Sequence, residues 1–227
     1  KTDQMWGGDA ALSIVRARLA DAKFFYDQDR KQTLESRVAG LANVVYHGKL
    51  GSQLQRVQRL VAIALGIASE LGVDADVVGR SARLAKADLR TLMVGEFPEL
   101  QGVMGEYYAL HDGESADVAT AIRQHYRPRF ADDTLPDSII GICVALADKL
   151  ETIVGLFGVG EQPTGDKDPF GLRRQAIGIL RMLMEKRPPL PLHWLSRTAF
   201  SAFPPGLLGD AQTDVELFLL ERCRGLL

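Results

Sequence analysis

Asp148 is the residue whose surroundings most demand an explanation. It stands four residues after Val144, at the edge of the apolar stripe Ile139, Ile140, Cys143, Val144, Ala147, Leu150, Val154 and Phe157. A carboxylate there must be hydrogen-bonded, ion-paired or metal-bound, because burying it bare costs several kcal/mol. Lys86 and Asp88, inside Leu84-Ala85-Lys86-Ala87-Asp88-Leu89, pose the same question. A buried polar pair holding helices in register answers it as well as a functional role does. The four histidines, His47, His111, His125 and His193, lie 64, 14 and 68 residues apart, so no two share a helical face and local metal chelation is not encoded. Cys143 and Cys223 sit in apolar helical patterns and read as reduced buried thiols, with neither CxxC nor a Cys/His pair at zinc spacing. There is no G-x-S-x-G elbow, Walker loop or dinucleotide fingerprint. The glycine-rich stretch Gly158 to Gly165 lacks G-K-[ST] and follows no strand.

Positive charge gathers in one place. Between Asp166 and Arg187 stand six basic residues (Lys167, Arg173, Arg174, Arg181, Lys186, Arg187) against three acidic ones, in a chain of net charge −2. Arg173 and Arg174 fall near a predicted helix start, where the dipole and free N–H groups favour an anion. The cluster suits a phosphate partner or serves as a solvated helix face. A second basic run, Arg123, His125, Arg127 and Arg129, is interleaved with Tyr126 and Phe130 and offers stacking as well as charge.

Helical periodicity must position all of these residues, for convincing strand alternation is absent. Leu12, Val15, Leu19 and Ala22 mark a first apolar stripe capped by Asp9; Leu34, Val38, Leu41 and Val45 mark a second. Ser52 and Gln55 form a capping box for a third helix that Gly72 stops. Asp74 or Asp76 opens a helix reaching about Leu92, and Pro98 suits the first turn of the next, which ends near Asp112-Gly113. A helix from Ser115 to Tyr126 and the long apolar helix from Asp137 or Ser138 follow. Asp168-Pro169 reads as a cap and first helical position. Pro188, Pro189 and Pro191 form a hinge before two final short helices.

At 227 residues and 46% hydrophobic, the chain fits one large domain or a domain with an appendage. No apolar run approaches the 18 or so residues of a membrane span. A pI of about 6.1 excludes a protein that coats nucleic acid non-specifically, so any RNA contact is through local patches. Opening on Lys1-Thr2-Asp3-Gln4 and carrying no secretory pattern, the chain reads as a piece of a longer cytoplasmic protein.

Several blocks resemble the β subunit of bacterial heterotetrameric glycyl-tRNA synthetase: Ala22-Lys23-Phe24-Phe25-Tyr26-Asp27-Gln28-Asp29-Arg30-Lys31, Lys86-Ala87-Asp88-Leu89 and Met93 through Gly102. His125-Tyr126-Arg127-Pro128-Arg129-Phe130, Ala145 to Leu150, and Gly165-Asp166-Lys167-Asp168-Pro169-Phe170 are similar in the same way. The likeness covers about Val15 to Arg187 and thins beyond the prolines. It implies an all-α, HD-superfamily-like helical domain over 1–187, with a short C-terminal helical extension over 188–227 leading toward an anticodon-binding domain.

The resemblance implies a domain without its own catalytic residues or cofactor, part of a ligase whose separate α subunit activates glycine with ATP and magnesium. Its partners would be the glycine tRNA and that α subunit in a heterotetramer, with no membrane. HD enzymes hold a metal through a histidine, a His-Asp pair and a distant aspartate. Asp148 matches the last; the pair falls near Lys86 and Asp88, and the first histidine near Ser52 to Arg56, both without imidazole. The implied site is degenerate and metal-free, with Lys86 pairing Asp88 or Asp148. Lys49, Arg90, Lys149, Lys167, Arg173 and Arg174 are the candidate acceptor-arm contacts. The competing readings are an active HD-type phosphohydrolase, and a scaffold that docks the α subunit without touching RNA. For the scaffold, Phe24-Phe25-Tyr26 is either interface anchor or core.

Overall fold

A computed structural model describes the chain over residues 6–225, with side chains from Val15 onward except that of Ala17. Eleven α-helices, one small hairpin and a few short 3-10 and π-helical segments make up the regular structure among the described residues: the fold is all-α. In order the α-helices and strands are α1 (Trp6–Asp29), α2 (Leu34–Val38), β1 (Val45–His47), β2 (Gly51–Ser52), α3 (Gln53–Leu71), α4 (Ala75–Leu84) and α5 (Leu92–Glu96). Then come α6 (Val103–His111), α7 (Ala116–Gln124), α8 (Ile139–Gly158), α9 (Leu172–Arg181), α10 (Leu192–Ser201) and α11 (Gln212–Arg224).

The axis of the molecule is α8. Every residue from Gly141 to Phe157 is buried, so the stripe read from the sequence is a helix enclosed on all sides. Around it pack α3, α4, α7, α9, α10 and α11. Leu60, Ile63, Ile67, Leu146, Leu150 and Ile153 form the centre of this larger core. A smaller core of Leu34, Val38, Met93, Met104, Tyr108 and Ile122 lies between α2, α5, α6 and α7. The helices beyond Pro188–Pro191 join the larger core through Leu195, Phe203, Val215 and Leu219, so the proline segment leads back onto the body.

Local signals place most helix ends. Ser52 and Gln55 make the reciprocal capping box, and Gly72 closes α3 at φ 65°. Asp74, Ser115 and Ser138 cap α4, α7 and α8.

Five expectations are corrected. The first helix begins before Asp9, which lies inside it, and of its predicted stripe Val15 and Leu19 are exposed; the Leu12 side chain lies outside the described set. The second helix stops at Val38. A 3-10 segment then spans Ala39–Asn43 and Val45 enters the hairpin, so a periodicity of four residues was too short to distinguish helix from turn. The fourth helix ends at Leu84, not Leu92, because a 3-10 turn at Ala87–Arg90 buries Lys86 and Asp88 and Thr91 caps α5 afresh. Pro98 starts a separate 3-10 turn, and α6 begins only at Val103, after Gly102 at φ 81°. Asp168 caps from a distance: α9 starts after Gly171, yet the Asp168 carboxylate accepts the amides of Leu172 and Arg173 at 2.8 and 3.0 Å.

At the other end, Asp29 closes α1 and opens α5. Its carboxylate accepts Leu92 N at 2.8 Å, Met93 N at 2.9 Å and the Tyr108 hydroxyl at 3.0 Å.

Replacing Ser52 by Ala removes the side-chain acceptor of α3 and lowers stability by about 1 kcal/mol. Urea unfolding reads the loss, and Ser52→Asp, which keeps an acceptor oxygen, recovers most of it.

Candidate functional site

Asp148, Glu151 and Thr152 lie three to four residues apart and so share one face of α8; Arg56 and Arg59 do the same on α3. Packing of α3 on α8 brings the two rows together. Arg56 Nη2 donates to Asp148 Oδ1 at 3.0 Å and Thr152 Oγ1 at 2.8 Å, and its Nε donates to Glu151 Oε2 at 3.1 Å. Arg59 Nε donates to Glu151 Oε1 at 2.9 Å. From the turn after α4, Lys86 Nζ reaches the same Asp148 Oδ1 at 3.0 Å. The ring of Tyr126 lies 3.9 Å from that ammonium, and Tyr46 lies 4.3 Å beneath the Arg56 guanidinium. Lys86, Asp88, Glu151 and His125 are all at most 2% exposed.

Burial sets the protonation of this cluster. It lowers Lys86 to about 8, with Asp148 partly restoring the charge, and Lys149 likewise to about 8. Asp148 is raised by burial but more strongly lowered by Lys86 and Arg56, and ends well below the ordinary carboxylate range. Asp88 accepts Gly102 N at 2.6 Å through Oδ2, while Oδ1 has no partner; burial pushes this carboxyl up to about 6. His125 is driven well below its usual value by burial and by Lys86, and its Nδ1 lies 2.5 Å from Ile122 O.

The arrangement does not suit a metal ion. The oxygen that would bind one is shared by an ammonium and a guanidinium, and Arg56 comes from the very segment where the resemblance places a histidine. No three His, Cys, Asp or Glu side chains converge to hold a metal among the described residues. What the cluster does is tie three elements together through charge-assisted bonds at low dielectric.

The predicted nucleic-acid contacts separate into three places on the surface and one in the interior. Lys167, Arg173 and Arg174 come together where the loop after α8 enters α9: Lys167 and Arg174 are exposed and Arg173 donates to Gly165 O. Lys49 is exposed on the hairpin, its Nζ donating to Val159 O at 2.9 Å. Arg90 is exposed elsewhere, beside Gly40. Lys149 is corrected: it is 2% exposed, with its ammonium 3.3 Å from Tyr126 O and its chain against Gly178, so it belongs to the interior. The first two amides of α9, expected to be free for an anion, are already occupied by Asp168. Of the aromatic trio, Phe24 is 56% exposed, whereas Phe25 and Tyr26 pack on the smaller core.

Sequence reasoning missed Arg56, Arg59 and Glu151. The signal was available: two basic residues three apart on α3 and two acidic residues three apart on α8, each interrupting an apolar stripe.

A family model described as glycyl-tRNA synthetase beta subunit matches residues 9–227. The chain is 64% identical over 214 residues to the glycine–tRNA ligase beta subunit of Thiobacillus denitrificans, covering 93% of this chain and 30% of that protein. Against the beta subunit of Neisseria gonorrhoeae it is 63% identical over 197 residues, 87% of this chain and 28% of that one. The Aromatoleum aromaticum beta subunit is 59% identical over 216 residues, 94% and 31% respectively. The chain thus spans under a third of the length of the curated relatives it matches.

Lys86→Met leaves Asp148 with one cation and is expected to cost about 3–5 kcal/mol in urea unfolding, the range for breaking a buried ion pair. In the wild type, Lys86 and Lys149 release their protons near pH 8 when folded but near 10.5 when unfolded. The unfolded chain therefore holds more protons in that window, and stability rises from about pH 8 toward 10. Lys86→Met flattens that rise.

Proposed function

The chain belongs to the glycyl-tRNA synthetase beta-subunit family, and from that premise we propose that it is a non-catalytic domain that handles the acceptor arm of the glycine tRNA during aminoacylation. The observation that carries this reading is the exposed patch around the start of α9. Lys167 and Arg174, both exposed, flank the 40% exposed Phe170 in the sequence, and Phe130, 59% exposed, lines the same apolar depression as Arg173 and Arg174. Cations for phosphates beside rings for bases are the pairing that single-stranded or splayed RNA requires. Lys49 and Arg90 are the outlying contacts of the same reading.

The activity belongs to the whole ligase. On this reading the α subunit supplies ATP, magnesium and glycine activation, and the present chain contributes tRNA binding within a cytoplasmic heterotetramer. No helix among the described residues is long and apolar enough to cross a membrane. An HD-like scaffold whose metal position is filled by Lys86 and Arg56 supports a non-hydrolytic role over a metal-dependent phosphohydrolase. Docking of the α subunit is a second reading, supported by the exposed Val15, Leu19 and Phe24 on α1.

The test compares the assembled ligase with its Arg173→Ala/Arg174→Ala form, measuring affinity for the glycine tRNA across salt concentrations. The double variant is expected to bind about tenfold more weakly with a shallower slope, by roughly one for each phosphate that is no longer neutralised. An unchanged slope removes the basic patch from the reading. Leu19→Asp that weakens subunit assembly while tRNA affinity holds supports the docking role instead.

A further inference from the structure

A cavity of about 230 Å³ opens between the hairpin, α3, α8 and α9. It is smaller than the roughly 300–1,000 Å³ of sites for drug-sized ligands, and so is sized for a single small ring system. Its walls are unusually aromatic: Tyr46 and His47 from β1, and Phe170 from the loop that carries Lys167. His47 and Phe170 meet edge to face, with centroids 5.8 Å apart and planes at 74°, so the hairpin and the loop close on each other at the cavity. Phe170 remains 40% exposed.

The polar atoms around it call for a partner of a particular kind. The Tyr46 hydroxyl lies buried behind the wall beside Thr152, which accepts from Arg56 and donates to Asp148 O, so the ring and not the hydroxyl faces a ligand. Burial pushes Tyr46 up to about 12, so the hydroxyl keeps its proton. Gln175 adds an amide with both donor and acceptor at the wall. Arg56 also lines the cavity, but its Nε and Nη2 are committed to Glu151, Asp148 and Thr152. A phosphate or carboxylate would find that charge already neutralised. A flat, neutral group with several polar edge atoms fits better, and Lys167, exposed three residues before Phe170, supplies a cation on the same loop for a linked phosphate.

We propose that this cavity receives one unstacked nucleobase of the bound RNA, stacked against Phe170 and read at its edge by Gln175, with Tyr46 in the wall. The proposal rests on the tRNA-handling role argued above and adds a site to it. A phenylalanine, tyrosine or tryptophan side chain from a partner protein carries at most one polar atom and would leave the Gln175 amide only partly matched.

The experiment uses the complete ligase and a glycine tRNA transcript carrying the photoreactive bases 4-thiouridine and 6-thioguanosine. Affinity is measured for the wild type, Phe170→Ala, Phe170→Tyr and Gln175→Ala, with unfolding midpoints as the control for folding. Phe170→Ala is expected to weaken binding about 5- to 150-fold, the factor that ~1–3 kcal/mol per stacked base represents. Phe170→Tyr restores it, Gln175→Ala weakens it less, and wild-type crosslinks fall on the peptide holding Tyr46 and His47. Wild-type binding with Phe170→Ala and Gln175→Ala both unchanged overturns the pocket and leaves the tRNA role standing. No tRNA binding by the wild type at low salt overturns both. Variants that loosen subunit assembly but not tRNA affinity overturn the proposal in favour of a protein side chain as occupant.

Discussion

The rest of the structure hangs on the sharing of one carboxylate oxygen, Asp148 Oδ1, between Lys86 and Arg56. Through it α8, α3 and the turn after α4 are held at fixed separation, and Glu151 repeats the device one helical turn further along with Arg56 and Arg59. Four buried or nearly buried cations, counting Lys149, surround three carboxylates, of which Asp88 is the reluctant one. Such a cluster contributes less net stability than an apolar core of the same volume would, because each ion must first be stripped of water. Its contribution is to make misregistered packing of α3 on α8 costly, since a shifted helix would strand a charge in the interior.

That cluster also explains how the sequence could be read and where reading failed. Asp148, Lys86 and Asp88 were conspicuous because each breaks an apolar pattern; Lys86 and Asp148 pair, whereas Asp88 accepts the Gly102 amide and leaves Oδ1 without a partner. Helix starts at Ser52, Asp74, Ser115 and Ser138 were legible because a side-chain oxygen supplies the missing acceptor within three residues, a purely local event. The early end of α4 was not legible. Local propensity from Ala85 to Leu92 is helical, and only the tertiary pairing of Lys86 with Asp148 makes a tight turn preferable. Lys149 misled for the complementary reason. A lysine beside an aspartate on an apolar helix looks like the snorkelling edge of a stripe. Here the stripe has no edge, because α9 approaches closely enough at Gly178 that any Cβ there would lie 2.8 Å from Lys149 Cε. The hairpin escaped notice because two residues of strand carry no periodicity.

The exterior follows a different logic. At the start of α9, Lys167 and Arg174 are exposed and Arg173 donates to Gly165 O, whereas Arg181 at its end is tied to Glu185 and to the carbonyls of Ala131 and Asp133. The aromatic rings Phe130 and Phe170 among them would be out of place on a merely soluble face. Interior cations fix the scaffold, while exterior cations and rings face the solvent that a partner would displace. The two sets meet at Arg56 and Tyr46, where the buried cluster forms one wall of the cavity beside Phe170, and again where Lys149 packs on Gly178 beneath the depression lined by Phe130 and Arg174.

The junction at Asp29 has a mechanical consequence. From Val15 to Asp21 every described side chain of α1 is exposed; from Ala22 onward the helix packs on the smaller core through Phe25 and Tyr26, and at its end one carboxylate clasps the first amides of α5 and the Tyr108 hydroxyl. Fourteen residues separate Val15 from that clasp, about 21 Å of stiff rod at 1.5 Å per residue. Force applied at the free part of the rod would act as torque about this packed end. It would reach the smaller core through α5 and Tyr108 before it reached α8.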